Sequence, residues 1–313
     1  MSTGVSRTPI IILNDKSISN LYVKREDMIP YSFGGNKARK AELFFADYDK
    51  GGYDYVVTYG TSHSNHCRVI ANICAGRDIP CLIVSPNEVS DTTYNSKLTR
   101  IFGAEYKCVP VEEVHDTIET ELNRLRAEGH NPYFIEGGGH GNIGTDAYVR
   151  CYDEICEYES LSGIRFDYIF FASGTGTTQA GLVCGQLIHK DERHIVGISI
   201  ARKNPRGRQV ILDSIISYMD ANKYPYSVQD VDDKTVFIDD YTSDGYGADN
   251  AEITDTIREA LRDYGMPLDS TYTGKAFYGM KEYIKKNNIS DKNILFIHTG
   301  GTPLFFDDLE NRL

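Results

Sequence analysis

The sequence predicts an α/β protein built from two wound, largely parallel sheets, and three observations predict it. Short apolar runs recur along the chain, segments with one apolar face separate them, and the last run lies close to the C-terminus, so a sheet must be completed from distant parts of the chain. The runs are Asp54 to Thr58, Cys81 to Ser85, Glu105 to Val109, Pro132 to Glu136, Tyr168 to Ala172, Ile195 to Ser199 and Ile294 to Ile297. Between them, sets such as Val69, Ile70, Ile73 and Cys74, or Ile118, Leu122 and Leu125, recur at helical spacing and would cover the sheet faces. No internal repeat or low-complexity tract interrupts the pattern. Ligands of such folds sit beyond the C-terminal ends of the strands, which makes the loops after these runs the places to seek chemistry.

The chain has 313 residues, enough for about two domains and a substantial core. A net charge of -12 argues against a duplex nucleic-acid or acidic-membrane partner, since both select clustered Lys and Arg. A small zwitterionic substrate stays possible. Seven scattered cysteines without a Cys-x-x-Cys pair fit a reduced, intracellular protein. The apolar stretch near the N-terminus is too short for a secretory core or a membrane span, and the expected location is the cytoplasm.

The first unusual loop follows the strand-like Leu21-Tyr22-Val23-Lys24 and contains Arg25-Glu26-Asp27 and Gly34-Gly35-Asn36-Lys37. A helical pattern then begins, with Ala41, Phe44, Phe45 and Tyr48 on one face. Lys37 falls on that stripe, whereas Arg39 points away from it and Lys40 lies at its margin, where solvated charges belong. A lysine aimed inward has a lowered pKa and can act as a nucleophile or Schiff-base former. A snorkelling lysine at a helix start is the other reading, and Lys37 alone does not decide between them.

The next loop, Gly60-Thr61-Ser62-His63-Ser64-Asn65-His66, ends a strand and opens a helix. Its free N–H groups and hydroxyls suit a substrate carboxylate, and Asn65 could donate to a phenolate oxygen; a plain capped helix is the alternative. His63, His66 and Cys67 lack a complementary ligand motif elsewhere, so no metal is expected. Ser173-Gly174-Thr175-Gly176-Thr177-Thr178 follows another strand and precedes an apolar helix. Its exposed N–H groups and hydroxyls favour a phosphate over a mere tight turn. Gly139-His140-Gly141-Asn142-Ile143-Gly144 matches the dinucleotide fingerprint, yet no acidic residue ends a following strand at the distance ribose recognition requires. Near the C-terminus, Asp244-Gly245-Tyr246-Gly247 and Tyr272-Thr273-Gly274-Lys275 place tyrosines in glycine-flanked turns, and His298-Thr299-Gly300-Gly301 ends the last run.

These segments, in this order, resemble the fold-type II pyridoxal-phosphate enzymes, which are tryptophan-synthase-β-like. Within them the chain is similar to the branch that holds D-cysteine desulfhydrase and 1-aminocyclopropane-1-carboxylate deaminase. The similarity spans nearly the whole chain, through Lys24 to Asp27, Gly34 to Lys37, Ser64 to His66, Asn95 to Glu105, Ser173 to Leu182, Tyr272 to Lys275 and His298 to Pro303. It implies pyridoxal 5'-phosphate as cofactor, held by Lys37 through its aldehyde, by Gly174, Thr175, Gly176, Thr177 and Thr178 through its phosphate, and by Asn65 at its phenolic oxygen. It further implies Ser64, Asn65 and His66 as substrate contacts, with Ser64, Tyr246 and Tyr272 as catalytic candidates beside Lys37. Ring-opening deaminases carry Glu and Leu where this chain has Thr273 and Thr299; both threonines resemble the desulfhydrase pattern, and the resemblance implies them as cofactor contacts too. His63 and the stretch Gly137 to His140 depart from the family pattern. By the same analogy the chain would be a homodimer, with a larger domain of residues 1–49 and 161–313 and a smaller inserted domain of residues 50–160.

The expected reaction is α,β-elimination on D-cysteine or a related β-substituted amino acid, giving a keto acid and ammonia. The competing readings are a β-replacement enzyme or racemase with the same cofactor, a 1-aminocyclopropane-1-carboxylate deaminase, and a nucleotide-binding module.

Overall fold

The computed structural model describes residues 7–87, 93–243, 245–247 and 250–313; Asp244, in one of the glycine-flanked turns, lies outside them. The strands are β1 Ile10–Leu13, β2 Leu21–Arg25, β3 Tyr55–Tyr59, β4 Cys81–Pro86, β5 Glu105–Val109, β6 Pro132–Ile135, β7 Tyr168–Ser173, β8 His194–Ser199, β9 Val236–Ile238 and β10 Ile294–His298. The helices are α1 Asn36–Tyr48, α2 Asn65–Ala75, α3 Tyr94–Ile101, α4 Val114–Ala127, α5 Asn142–Ser162, α6 Thr177–His189, α7 Arg206–Ala221, α8 Val228–Lys234, α9 Ala251–Tyr264, α10 Thr273–Lys286 and α11 Thr302–Asn311.

One sheet has the order β1-β2-β10-β7-β8-β9 and the other β5-β4-β3-β6. All pairs are parallel except β1 with β2. The α/β class and the two largely parallel sheets are therefore as the sequence predicts. The last strand, β10, slots between β2 and β7, which completes the large sheet from the two ends of the chain. Central strands such as β7 and β10 are buried on both faces, which is why they read as unbroken apolar runs. The two strands not expected from the sequence, β1 and β9, are short edge strands with half-exposed residues, where alternation and burial leave a weak signal.

Helices α5, α6, α7 and α8 pack on one face of the large sheet, and α9 and α10 on the other. The small sheet is covered by α1 and α2 on one face and by α4 on the other. Two helices pack on the sheet of the other segment. Helix α1, from the 1–49 segment, lays Ala38, Ala41, Phe44, Phe45 and Tyr48 on the small-sheet core, while α5, from the 50–160 segment, buries Tyr148, Cys151, Tyr152 and Ile155 in the large-sheet core. Each helix follows its apolar stripe to the nearest sheet face, whatever its place in the sequence.

Candidate active site

Between the two sheets, at the C-terminal ends of β3, β6, β7, β8 and β10, lies a cavity of about 290 Å³. Lys37, Ser64, Asn65, His66, Gly174, Thr175, Gly176, Thr178, Tyr246, Tyr272 and Thr299 all line it. Segments separated by more than two hundred residues thus converge on one space. Two expected residues, Thr177 and Thr273, are not in its wall.

Lys37 sits in the first turn of α1, whose start is tied to the β10 loop by a bond from the Asn36 N–H to the Thr299 carbonyl at 2.9 Å. Its Nζ donates to the Gly138 carbonyl at 2.8 Å. Burial, and secondarily the Arg202 guanidinium, hold its ammonium at about 8 instead of 10.5. The amine is therefore far more available as a nucleophile near neutral pH than an ordinary lysine.

The two flanking charges are placed differently from the expectation of solvated side chains. Arg39 and Lys40 are both buried, because the face of α1 opposite its apolar stripe is covered by α5. Arg39 donates to Glu154 at 2.7 and 3.0 Å and to Glu26 on its other edge, joining α1 to α5 and to the end of β2. Lys40 donates to Thr177 Oγ1 at 2.7 Å, and burial together with Lys37 holds its ammonium well below the usual lysine range.

That bond explains the absence of Thr177 from the wall. Its hydroxyl accepts from Lys40 and donates to the Gly139 carbonyl at 3.3 Å, on the side of α6 away from the cavity. Thr178 turns the other way and accepts from Asn36 Nδ2 at 3.2 Å. Helix α6 has no side-chain cap, and Gly176 precedes it at φ 104°, a conformation that admits glycine most readily. The first N–H groups of α6 are thus left to a guest. Gly144, the last glycine of the dinucleotide-like stretch, packs so closely on the Gly139 carbonyl that a Cβ has no room. Gly144 thus serves close packing of α5 beneath this loop, which accounts for that glycine without a nucleotide.

Across the cavity, Ser64 caps α2 by accepting from the Cys67 N–H at 3.2 Å. Thr61 Oγ1, also in the wall, is buried and has no partner among the described residues. Asn65 Oδ1 accepts from Arg68 at 3.2 Å and from Asn95 Nδ2 at 3.0 Å. With its oxygen so engaged, Asn65 presents its amide N–H groups as donors, an orientation assigned from the network. Thr58 spends its one hydroxyl proton on the Ile135 carbonyl at 2.7 Å, so His66 Nε2, 2.9 Å from Thr58 Oγ1, carries the donated hydrogen. Burial and the nearby Lys37 and Lys40 hold His66 well below its ordinary pKa, and it is neutral.

The hydroxyls of Tyr246 and Tyr272 are hydrogen-bonded to each other, with ring centroids 5.8 Å apart. Burial raises Tyr272 well above the usual phenol range. Asp269 anchors this corner by accepting from the Thr271 and Tyr272 N–H groups at 3.0 and 2.8 Å. Thr273 donates its hydroxyl to Asp269 Oδ2 at 2.8 Å and accepts from the Asp269 N–H at 3.0 Å, so it braces the start of α10 instead of reaching the cavity. Lys275 Nζ holds the Tyr246 loop by donating to the Thr242 and Gly245 carbonyls at 2.9 and 2.6 Å. Asn36, Lys40, Thr61, Asn95, Arg202 and Asp269 were missed as site residues. The Asn36 and Thr61 positions inside polar loops could have flagged them; Asp269 and Arg202 carry no local signal. Among the described residues no three His, Cys, Asp or Glu side chains come together to hold a metal.

The donor set fits a phosphorylated aldehyde. A half-buried lysine of lowered pKa, an uncapped helix start with free N–H groups, an amide donor and an unpartnered buried hydroxyl share one cavity. The fold and site define an enzyme of the class that holds an aldehyde cofactor on a lysine between two α/β sheets. The pyridoxal-phosphate dependent enzyme family matches residues 1–300, and the chain belongs to that family. It is 32% identical over 304 residues to the D-cysteine desulfhydrase of Serratia proteamaculans (strain 568), covering 94% of this chain and 90% of that one. It is 33% identical over 285 residues to a putative 1-aminocyclopropane-1-carboxylate deaminase of Pyrococcus furiosus, covering 90% of this chain and 85% of the other. A crystal structure of an ACC deaminase homologue superposes with a TM-score of 0.88 at 32% identity, covering 97% of this chain and 92% of that one.

Proposed function

We propose that this enzyme is a lyase that removes a β-substituent from a small amino acid, D-cysteine or a related compound, and yields a keto acid and ammonia. The observation that carries the reading is Lys37, an amine of lowered pKa between an uncapped helix start and a second wall rich in donors. The relatives named as D-cysteine desulfhydrase and as putative deaminase support the reaction class.

In this reading the N–H groups at the start of α6, with Gly174, Thr175, Gly176 and Thr178, hold the cofactor phosphate, and Asn65 donates to the phenolic oxygen. Lys40 supports that phosphate through Thr177. When bound, the cofactor draws electrons from the α-carbon of the amino acid joined to it, so that the α-proton and a β-substituent can leave. Ser64, Thr61 and the start of α2 bind the substrate carboxylate. His66, neutral and pinned by Thr58, shapes that wall and adds no charge to it. Lys37 Nζ takes the α-proton, and the hydrogen-bonded hydroxyls of Tyr246 and Tyr272 hold the proton that passes to or from the substrate's other end. Thr299 is the wall residue available to the pyridine nitrogen; a hydroxyl there protonates it less than a carboxylate would, which suits elimination of a good leaving group over ring opening. Thr273 acts on the site through Asp269 and the placement of Tyr272.

We further place the enzyme in the cytoplasm as a homodimer with no nucleic-acid or membrane partner. All seven cysteines are free thiols, the charge is -12, and no described helix is long and apolar enough to cross a membrane.

Borohydride treatment of the cofactor-loaded protein, followed by peptide mapping, is expected to mark Lys37, and Lys37→Ala to lower turnover by more than about a thousandfold. A label on another lysine, or no cofactor uptake, sinks the assignment. Assaying D- and L-amino acids for keto acid tests the reaction: dependence on an added nucleophile would mark replacement, and loss of optical activity without keto acid would mark racemisation.

A further inference from the structure

Arg202 differs from the other shielded arginines of this protein. Arg39 is paired with Glu26 and Glu154, Arg193 with Asp191 and Glu159, and Arg25 with Asp27, while Arg68, which has no carboxylate beside it, spends its nitrogens on Asn95, Ser32 and Asn65. Arg202 follows β8, is half-buried and lines the cavity beside Lys37, without a carboxylate partner at ion-pair distance among the described residues. Its hydrogen bond to the protein runs from one terminal nitrogen to the Thr175 carbonyl at 3.1 Å. A guanidinium offers five donors in a planar fork, so most of its donors are uncommitted.

Charge sharpens the contrast. Among the described residues the cavity wall holds Lys37 and Arg202 but no Asp or Glu, in a chain whose net charge is -12. A cofactor phosphate and a substrate carboxylate already have the starts of α6 and α2, which leaves Arg202 for a further anion. Its position separates it from the phosphate. The Thr175 carbonyl and the Gly176 N–H belong to one trans peptide unit and point in opposite directions. A guanidinium seated on that carbonyl therefore lies off the face where the N–H groups of α6 would take a phosphate. Burial holds the Arg202 pKa down, with Arg206 adding to the effect, while Tyr59 and Glu136 act against it. Tyr59 is itself in the wall, directly before the 60–66 loop. Arg202 thus interacts electrostatically with both Lys37 and Tyr59, the residue that leads into the substrate loop.

We propose that Arg202 is a specificity residue whose guanidinium recognises an anionic group on the substrate's side chain, such as the sulfate or phosphate ester of serine. This rests on the lyase reading and adds a substrate class to it. For serine O-sulfate the Cα–H and Cβ–O bonds break, the proton passes to Lys37, and sulfate leaves with the electron pair of its bond. One water then completes the conversion to pyruvate and ammonium, and no oxidant or reductant is needed.

The test compares kcat and KM for serine O-sulfate and for β-chloroalanine, each as both enantiomers, on the cofactor-loaded wild type, Arg202→Met and Arg202→Lys. The wild type is expected to prefer the sulfate ester. Arg202→Met should cut the ratio of the two kcat/KM values by about tenfold or more, chiefly through KM, with Arg202→Lys intermediate. Inorganic sulfate should compete with serine O-sulfate on the wild type, a measurement that needs no variant. An unchanged ratio overturns the proposal, as does a uniform loss on both substrates with weakened cofactor binding, which would make Arg202 a phosphate anchor. If the loaded wild type releases keto acid from no β-substituted amino acid, the lyase reading falls as well.

Discussion

The two helices that begin at opposite walls of the cavity begin in different ways. Helix α6 follows Gly176 without a side-chain cap, whereas α2 follows Ser64, whose hydroxyl already satisfies the Cys67 N–H. Each has a buried cation behind it that acts through a polar side chain: Lys40 through Thr177 at α6, Arg68 through Asn65 at α2. Those cations differ too. Burial holds Arg68 at about 9, so it stays charged near neutral pH, while Lys40 is pushed well below the lysine range by burial and by Lys37. The start of α6 is thus an incomplete anion site whose charge balance a phosphate would complete. The start of α2 is satisfied in part by Ser64 and can exchange a smaller, reversible guest. That asymmetry suits a resident cofactor on one side and a passing substrate on the other.

The largest effect that would sharpen this contrast is expected at Lys40. Lys40→Met should weaken cofactor binding by about a hundredfold, since a buried amine that a bound phosphate would hold charged is lost from beneath that loop, while the KM for the amino acid changes little. Titration of the visible absorbance with cofactor measures it. Ser64→Ala should do the reverse: kcat/KM falls by about tenfold, the cofactor affinity holds, and thermal unfolding reports a loss of about 1 kcal/mol from the missing cap. Should both variants shift the cofactor affinity alike, the division of labour between the walls is broken.

A smaller effect concerns Lys37, which lies between the walls. Its folded pKa of about 8 is below its ordinary 10.5, so the unfolded chain holds more protons between these values. The cost of the shielded ammonium is absent above 10.5, grows as pH falls, and is fully present below about 8. Cofactor-free protein should therefore gain stability from this group as pH rises across that window, and Lys37→Met should flatten the slope. An unchanged slope in denaturant titrations would show that Lys37 is more solvated than its surroundings suggest.

Much of this was legible in the chain. The seven strand-like runs, the polar loops after them and the apolar stripe of α1 all lie within a few residues of the elements that form, because a doubly buried strand or a one-sided helix writes its environment into local composition. The lysine at the end of that stripe and the hydroxyl-rich loop before α6 were visible for the same reason. Edge strands β1 and β9 were not, since half-exposed backbone asks little of its side chains.

What the sequence by itself determined was the α/β class, the order of its buried strands, and Lys37 with the two loops that face it. The tertiary structure alone decided which neighbours of those residues turn inward. Consecutive helical residues are about 100° apart, so Thr178 reaches the cavity while Thr177 bonds to Lys40 behind it. Arg39 and Lys40 read as solvated because periodicity reports a helix's apolar face and is silent on what covers the other. Here that cover is α5, which begins about a hundred residues later in the chain. Arg202 is the same case in reverse: nothing near it in sequence marks it, and only the convergence of strand ends sets its guanidinium beside Lys37.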